Sequence, residues 1–129
     1  MTEENPLETL YVDKDEINKE RLTNALKGKI GIDRETGDPY FMGEYGKLSN
    51  KQKIIAYLLY RKALVSLKKI TEDDEGVSSK MISEDTGSKY QTVRGWLAKM
   101  DYVENDKKRG GYYVPNYAME EAIEVIEDE

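Results

Sequence analysis

One long amphipathic pattern dominates the middle of the chain. Apolar residues recur there at intervals of three and four positions, the spacing of one helical face: Ile54, Ile55, Leu58, Leu59, Ala63 and Leu67. Ser49 stands just before this run, with Gln52 at the third helical position, which is the arrangement of a capping box. The pattern predicts a helix from Asn50 to about Lys69, whose broad buried face anchors the fold.

Weaker patterns precede this helix. Residues 1–12 are interpreted as a loose arm, and residues 13–48 as an N-terminal extension. Asp13, with Glu16 three residues later, is a suitable N-cap for a first helix, and Gly28 is a suitable helix stop. The extension is therefore predicted to begin with a short helix that carries a weak apolar stripe.

The second half of the extension predicts a small β-hairpin. Short apolar stretches at residues 29–33 and 40–42 flank a turn at residues 34–39 that contains glycine and proline. The sequence leaves three roles open for the extension: a dimerisation arm, a brace for the long helix, or a site for another protein.

Two short helices are predicted after a hydrophilic connector at residues 71–76. Ser78 or Ser79 is a suitable N-cap of the first, and Gly87 can take the left-handed conformation that ends it. The second helix starts near Lys89, and its spacing turns one apolar set inward: Val93, Trp96, Leu97 and Met100. Its outward residues are Lys89, Tyr90, Gln91, Arg94, Gly95 and Ala98. Two short helices joined through a glycine form a helix-turn-helix arrangement.

A basic hairpin is predicted next. The β-prone stretches at residues 102–104 and 112–114 flank a polar, glycine-containing loop. This loop contains three consecutive cations, Lys107, Lys108 and Arg109. The tip of the hairpin is therefore expected to be strongly positive.

Residues 115–129 predict an acidic C-terminal helix. Its apolar residues repeat at near-heptad spacing, with glutamates opposite them: Ala118, Met119, Ala122, Ile123 and Ile126. This apolar face either packs on its own domain or pairs with a second copy to form a dimer. The acidic outer face should repel DNA.

With these motifs, residues 49–114 resemble the winged helix-turn-helix superfamily of prokaryotic and archaeal DNA-binding proteins. The resemblance rests on the spacing of a small residue, a glycine, a valine and a Trp-Leu pair: Ser83, Gly87, Val93, Trp96 and Leu97. It departs from the common pattern at Thr86 and Ser88, where apolar residues are more frequent. The resemblance implies a mainly α fold with a small β part (α+β), in which the second helix enters the major groove and the hairpin, or wing, follows the phosphates.

Charge distribution changes the first impression that composition gives. The chain has a formal net charge of −6, which is unusual for a nucleic-acid binder. Residues 49–114 nevertheless hold 13 basic and 9 acidic side chains, a local charge of +4 between acidic ends. A basic central segment is compatible with binding to polyphosphate.

Composition also excludes several kinds of chemistry. The chain has no cysteine and no histidine, which excludes disulfides, thiol catalysis, serine-histidine triads and the usual zinc ligands. No nucleotide-binding or EF-hand motif is present, so we expect no enzyme activity, no cofactor and no metal.

The longest apolar run, at residues 54–59, is too short to span a membrane, and the acidic N-terminus does not predict a secretory signal. A cytoplasmic protein is expected.

The candidate DNA contacts fall on the second helix and on the hairpin loop. Those of the helix are Ser88, Lys89, Tyr90, Gln91, Arg94 and Lys99. Those of the wing are Lys107, Lys108 and Arg109. Arg94 and Gln91 are suited to bidentate contacts with guanine and adenine, and Lys89 is suited to a phosphate. Lys99 is explained equally well as solvated surface, and Tyr90 either packs on a sugar or enters the core.

The sequence therefore predicts a sequence-specific double-stranded DNA-binding protein, a transcriptional regulator of archaeal or bacterial type. A homodimer through the C-terminal helix or the N-terminal extension is a further expectation. The alternative is a winged-helix protein-protein interaction module of a transcription or replication assembly, which the acidic ends favour. A carboxylate-dependent hydrolase is the third possibility, and it would require a divalent metal.

Overall fold

The computed structural model describes residues 6–10 and 18–127, and this part of the chain is mostly helical. Its α-helices are α1 (Lys19–Leu26), α2 (Gly43–Gly46), α3 (Asn50–Ser66), α4 (Ser79–Thr86), α5 (Tyr90–Leu97) and α6 (Met119–Glu127). Its strands are β1 (Ile30–Ile32), β2 (Pro39–Phe41), β3 (Glu104–Asp106) and β4 (Gly111–Tyr113). The strands form two separate antiparallel hairpins, β1-β2 and β3-β4. The expected α+β class with a small β part is confirmed.

Helix α3 lies at the centre of the core. Residues 54–60 are all buried, so the helix is covered around its whole circumference and not along one face only. The predicted capping box is confirmed, because the Ser49 hydroxyl accepts from the Gln52 amide at 3.2 Å and the Gln52 side chain accepts from the Ser49 amide at 2.9 Å. The predicted end of the helix is wrong. Leu67 is 59% exposed, and the helix stops at Ser66 before Lys68 adopts a φ of +61°.

The N-terminal extension packs against this central helix. The predicted cap at Asp13 lies outside the described residues, and α1 begins at Lys19 because the Asn18 side chain accepts from the Arg21 amide at 3.0 Å. The helix ends before Gly28, whose φ is +79° as expected of a stop. Helix α1 contacts both α3 and α6, and these are the contacts that a brace for the long helix would make.

The predicted hairpin of the extension is confirmed. Strands β1 and β2 pair with Ile30 opposite Phe41 and Ile32 opposite Pro39. Ile30 is buried in the common core, whereas Tyr40 is exposed. The Tyr60 hydroxyl of α3 donates to the carbonyl of Gly37, which ties the turn of this hairpin to the central helix.

Helices α4 and α5 form the predicted pair of short helices. The Ser78 hydroxyl accepts from the Met81 amide at 3.1 Å and caps α4, and Gly87 ends that helix in the left-handed region at a φ of +76°. Ile82 of α4 and Val93 of α5 are fully buried. The two helices therefore pack against α3 through their inner faces.

Polar side chains hold the turn between α4 and α5. The Thr86 hydroxyl donates to the carbonyl of Ile82 at 2.6 Å and accepts from the Ser88 amide at 3.3 Å. The Ser83 hydroxyl donates to the carbonyl of Ser88 at 2.6 Å. Thr86 and Ser83 therefore fix this turn through hydrogen bonds between side chains and backbone.

The second hairpin is shifted from its predicted position. Its strands are residues 104–106 and 111–113, and buried Tyr102 precedes the first strand instead of forming part of it. The shift follows from a tight tip, since the Asp106 side chain accepts from the Lys108 amide at 2.9 Å and Gly110 adopts a φ of +96°. Val77 and Tyr112 exchange backbone hydrogen bonds of 3.0 and 2.7 Å, which fasten this hairpin to the segment before α4.

The predicted C-terminal helix is present as α6, preceded by a 3₁₀ turn at Asn116–Ala118. Its predicted apolar face is buried throughout: Ala118, Met119, Ala122, Ile123 and Ile126. The face packs on α3 and α1 of the same chain. Of the two alternatives for this face, packing within the chain is the one observed. Among the described residues, no helix is both long and apolar enough to cross a membrane.

Candidate nucleic-acid interface

Helix α5 has one buried side and one solvent-facing side. Val93 and Leu97 are buried on the first. The predicted contact residues Gln91 and Arg94 are exposed on the second, and Lys89 is exposed at the N-cap before the helix. The 3.6-residue period thus separates packing residues from polar residues that are free to meet a partner.

Arg94 lies over an aromatic ring of its own helix. Its guanidinium carbon is 5.7 Å from the centroid of the Tyr90 ring, within the range of a cation–π contact. Tyr90 is 45% exposed, so the interpretation that placed it in the core is wrong. Tyr90 instead contacts Arg94 at the surface, and the planar guanidinium group of Arg94 remains available for bidentate hydrogen bonds.

Ser88 and Lys99 flank the helix at its two ends. Ser88 is half-buried because its backbone takes part in the turn after α4. Lys99 is exposed, and its Nζ is 5.5 Å from the centroid of the Trp96 ring. Trp96, which its spacing turns toward the core, is half-buried and packs at the edge of the core. Their roles as DNA contacts stay predictions.

Lys51 is a residue that sequence reasoning missed. Its Nζ lies 5.7 Å from the centroid of the same Trp96 ring, although it belongs to the first turn of α3. Nothing in the spacing of the sequence links position 51 with position 96. Only the packing of α3 against α5 brings this cation to the exposed end of α5.

The three cations of the hairpin tip do not have the same surroundings. Lys107 and Lys108 are exposed, whereas the Arg109 side chain is 32% exposed and takes part in both ion pairs of the tip. It lies 3.9 Å from Glu75 and 3.9 Å from Asp106, and 4.7 Å from the centroid of the Tyr113 ring. Two lysines are therefore freely presented to solvent, and the arginine is folded back toward the protein.

The carboxylate that draws Arg109 back belongs to a buried charge cluster. Glu75 is 2% exposed and forms an ion pair of 3.2 Å with Lys62, which is 3% exposed. Lys62 also donates to the Asn116 side chain at 2.5 Å. Burial raises the pKa of the Glu75 carboxyl and lowers the pKa of the Lys62 ammonium, because desolvation penalises both charged forms.

This cluster adds a feature to the connector that the sequence did not indicate. Residues 71–76 were described as a hydrophilic connector, and within it Glu75 is buried between Lys62 of α3 and Arg109 of the hairpin tip. Six polar or small residues in a row carry no periodicity that singles out one as buried. Glu75 is buried because its carboxylate pairs with Lys62 and Arg109. The next residue, Gly76, also donates a backbone hydrogen bond of 2.7 Å to Arg109.

The acidic residues of α6 lie on the solvent-facing side of that helix. Glu120, Glu121, Glu124 and Glu127 are all exposed. Arg21 of α1 bonds to Glu120 at 2.7 Å and to Glu127 at 2.5 Å, which offsets part of this charge. The remaining glutamates keep the outer face of α6 negative.

Comparisons with known proteins add no relatives to this description. No protein-family model matches the sequence, and neither a curated protein nor a solved structure is significantly similar to it. The part of the chain that the structure describes also holds no group of three or more acidic residues placed to bind a metal ion. The exposed side of α5 is the candidate site because it presents polar side chains, Gln91 and Arg94, with cations around them.

Proposed function

We propose that this protein binds double-stranded DNA in a sequence-specific manner as a winged-helix transcriptional regulator. Three helices, α3 to α5, are followed by the β3-β4 hairpin, and Val77, just before α4, forms an isolated β-bridge with Tyr112 of β4. This order and pairing support the winged-helix assignment. The observation that carries the proposal is the solvent-facing side of α5, which presents Gln91 and Arg94, with Lys89 exposed at the N-cap of the helix.

The proposed mechanism assigns base reading to α5. The major groove is about 12 Å wide and admits one α-helix. Arg94 can donate two hydrogen bonds to guanine, and Gln91 can exchange two with adenine. The contact between Arg94 and Tyr90 limits the motion of the guanidinium, which reduces the entropy lost when it binds a base.

The β3-β4 hairpin is assigned to the phosphate backbone. Lys107 and Lys108 are exposed at its tip, and each phosphate neutralised releases condensed counterions. Hydrogen bonds between Val77 and Tyr112 hold the hairpin to the segment before α4. The lysines are thus carried on an element whose position relative to the helices is fixed.

Substitutions in the two elements should have different effects on DNA binding. Arg94→Ala should weaken binding about tenfold and relax preference at one base position, since base contacts specify sequence. Lys107→Ala should weaken binding to all sequences alike and lower the slope of log affinity against log salt by about one. Electrophoretic mobility shift across a salt series measures both. Lys27→Ala, an exposed lysine of the extension, serves as the control and should change neither quantity.

Gly95 gives a second, independent reason to place a partner against α5. It lies within this helix on the exposed side, and a Cβ there would meet no protein atom within 4 Å. Glycine inside a helix costs about 1 kcal/mol relative to alanine. No contact among the described residues requires glycine at this position. Close approach of a partner to the helix backbone is one condition that favours glycine.

Gly95→Ala should therefore separate stability from binding. We expect the free energy of unfolding to rise by about 0.5–1 kcal/mol, because alanine loses less backbone entropy than glycine when the helix forms. We expect duplex binding to weaken at the same time, because the new methyl group occupies the space between helix and groove. Urea unfolding and mobility shift measure the two effects. A stabilised variant that binds duplex like the wild type would exclude close approach at Gly95.

The acidic face of α6 favours the alternative function, a protein-protein interaction module. Four exposed glutamates lie on this helix, and such a surface repels DNA but suits a basic partner protein. The two functions differ in one simple observation. The absence of a mobility shift with random duplex at micromolar protein and low salt would favour the protein-binding function.

A further inference from the structure

Two lysines from distant parts of the sequence meet at the single tryptophan of the chain. The Nζ atoms of Lys51 and Lys99 lie 5.7 and 5.5 Å from the centroid of the Trp96 ring. The two ammonium groups are therefore at most about 11 Å apart, which is the sum of these distances. A half-buried aromatic ring with two nearby cations forms a compact positive patch at the end of α5.

No carboxylate of the described residues forms an ion pair with this patch. Neither Lys51 nor Lys99 takes part in an ion pair there, although the chain as a whole has six more acidic than basic side chains. The face of the indole ring attracts both cations, but a neutral ring does not cancel their charge. The two ammonium groups keep most of their capacity to bind an anion.

The backbone on both sides of the patch is fixed. Lys51 lies between Ser49 and Gln52, whose capping box closes the first turn of α3. The Gln52 amide group also donates to the carbonyl of Val125 at 3.0 Å, which joins this turn to the end of α6. On the other side, the Lys99 amide donates to the carbonyl of Trp96 at 2.9 Å. Both lysines therefore extend from ordered turns, so less backbone entropy is lost when they bind an anion.

We propose that Lys51, Trp96 and Lys99 form a phosphate site that takes a phosphodiester group of duplex DNA. The inference rests on the proposed function and extends it, because it adds α3 to the elements that touch DNA. Ammonium groups donate charge-assisted hydrogen bonds to phosphate oxygens, and the indole ring supports the aliphatic parts of the two lysines. The site fastens the end of α5 to the backbone independently of the lysines at the hairpin tip.

Trp96 supplies a direct optical probe of this site, since it is the only tryptophan. Titration of the protein with duplex DNA at constant ionic strength should change the Trp96 emission, with saturation at the DNA concentration that saturates the mobility shift. The same titration with inorganic phosphate distinguishes the source of the phosphate. We expect little change at millimolar phosphate. An equal change with inorganic phosphate would assign the patch to small anions and overturn its assignment to DNA.

Salt dependence tests the role of Lys51. Lys51→Ala should reduce duplex affinity about three- to tenfold and lower the salt slope by about one. Lys51→Arg keeps the positive charge and should keep the slope. Lys53→Ala is the matched control, because Lys53 lies on the same helix with its Nζ 5.8 Å from the Tyr45 ring centroid, away from Trp96. It should leave both slope and Trp96 emission unchanged.

The failure of this site and the failure of the proposed function give different results. If the wild type binds duplex with a steep salt slope but Lys51→Ala behaves like Lys53→Ala, the Trp96 site is wrong and the DNA-binding function stands. If the wild type binds no duplex at low salt, both proposals are wrong. Circular dichroism of the variants checks that these surface substitutions leave the helices intact.

Discussion

Glu75→Ala should lower the free energy of unfolding by about 3–5 kcal/mol, the largest effect that we expect of a single substitution. The substitution leaves the Lys62 ammonium buried without its carboxylate, since Lys62 is 3% exposed and lies 3.2 Å from Glu75. It also removes the anion next to Arg109. Removing one partner of a buried pair leaves an uncompensated charge in a medium of low dielectric. Urea unfolding followed by circular dichroism measures the loss.

The control for this prediction is the neighbouring exposed carboxylate, Glu72, whose replacement by alanine should change the free energy of unfolding by less than about 0.5 kcal/mol. The double variant Lys62→Met, Glu75→Leu should recover much of the lost stability, because apolar groups of similar volume require no charge compensation. A double variant that is no more stable than Glu75→Ala, or a single variant as stable as the wild type, would contradict the role of the buried pair.

Gly76→Ala should lower the free energy of unfolding by about 3 kcal/mol and release the hairpin tip from the connector. A Cβ at Gly76 would lie 2.7 Å from the carbonyl oxygen of Arg109 and 2.7 Å from the amide nitrogen of Gly111. Both are backbone atoms, so no side chain can rotate out of the way. The change also strains the 2.7 Å hydrogen bond from the Gly76 amide to Arg109.

Two measurements check the Gly76 prediction. Hydrogen exchange of the Val77 and Tyr112 amides should become faster, since these two residues bond to each other just beyond the contact. Urea unfolding gives the change in stability. Gly46→Ala is the control, because a Cβ there meets no atom within 4 Å, and it should not be destabilised to a similar extent. Unchanged exchange at Val77 would mean that the connector does not hold the hairpin.

The elements that local patterns encode could be predicted from the sequence. Ser49 and Gln52 define the start of α3, and Gly87 defines the end of α4, because caps depend on residues only a few positions apart. The inward and outward sides of α5 follow from its period alone, which placed Val93 inside and Arg94 outside.

What could not be predicted depends on contacts between distant residues. Glu75 is buried because α3 and the hairpin tip bring Lys62 and Arg109 to it. Lys51 reaches the site because α3 packs against α5, and no pattern within either helix reveals this. The end of α3 was predicted too late, at about Lys69 instead of Ser66, because Leu67 continues the apolar spacing of the helix although its side chain is exposed.

The most direct test of DNA recognition is selection of bound sequences from a pool of random duplexes by the wild-type protein, with affinity then measured across a salt series. We expect one sequence to be enriched, and two copies at a regular spacing if the protein binds as a dimer. We also expect log affinity for the enriched duplex to fall linearly with log salt concentration. No enrichment, together with no binding at micromolar protein and low salt, would contradict the proposed function.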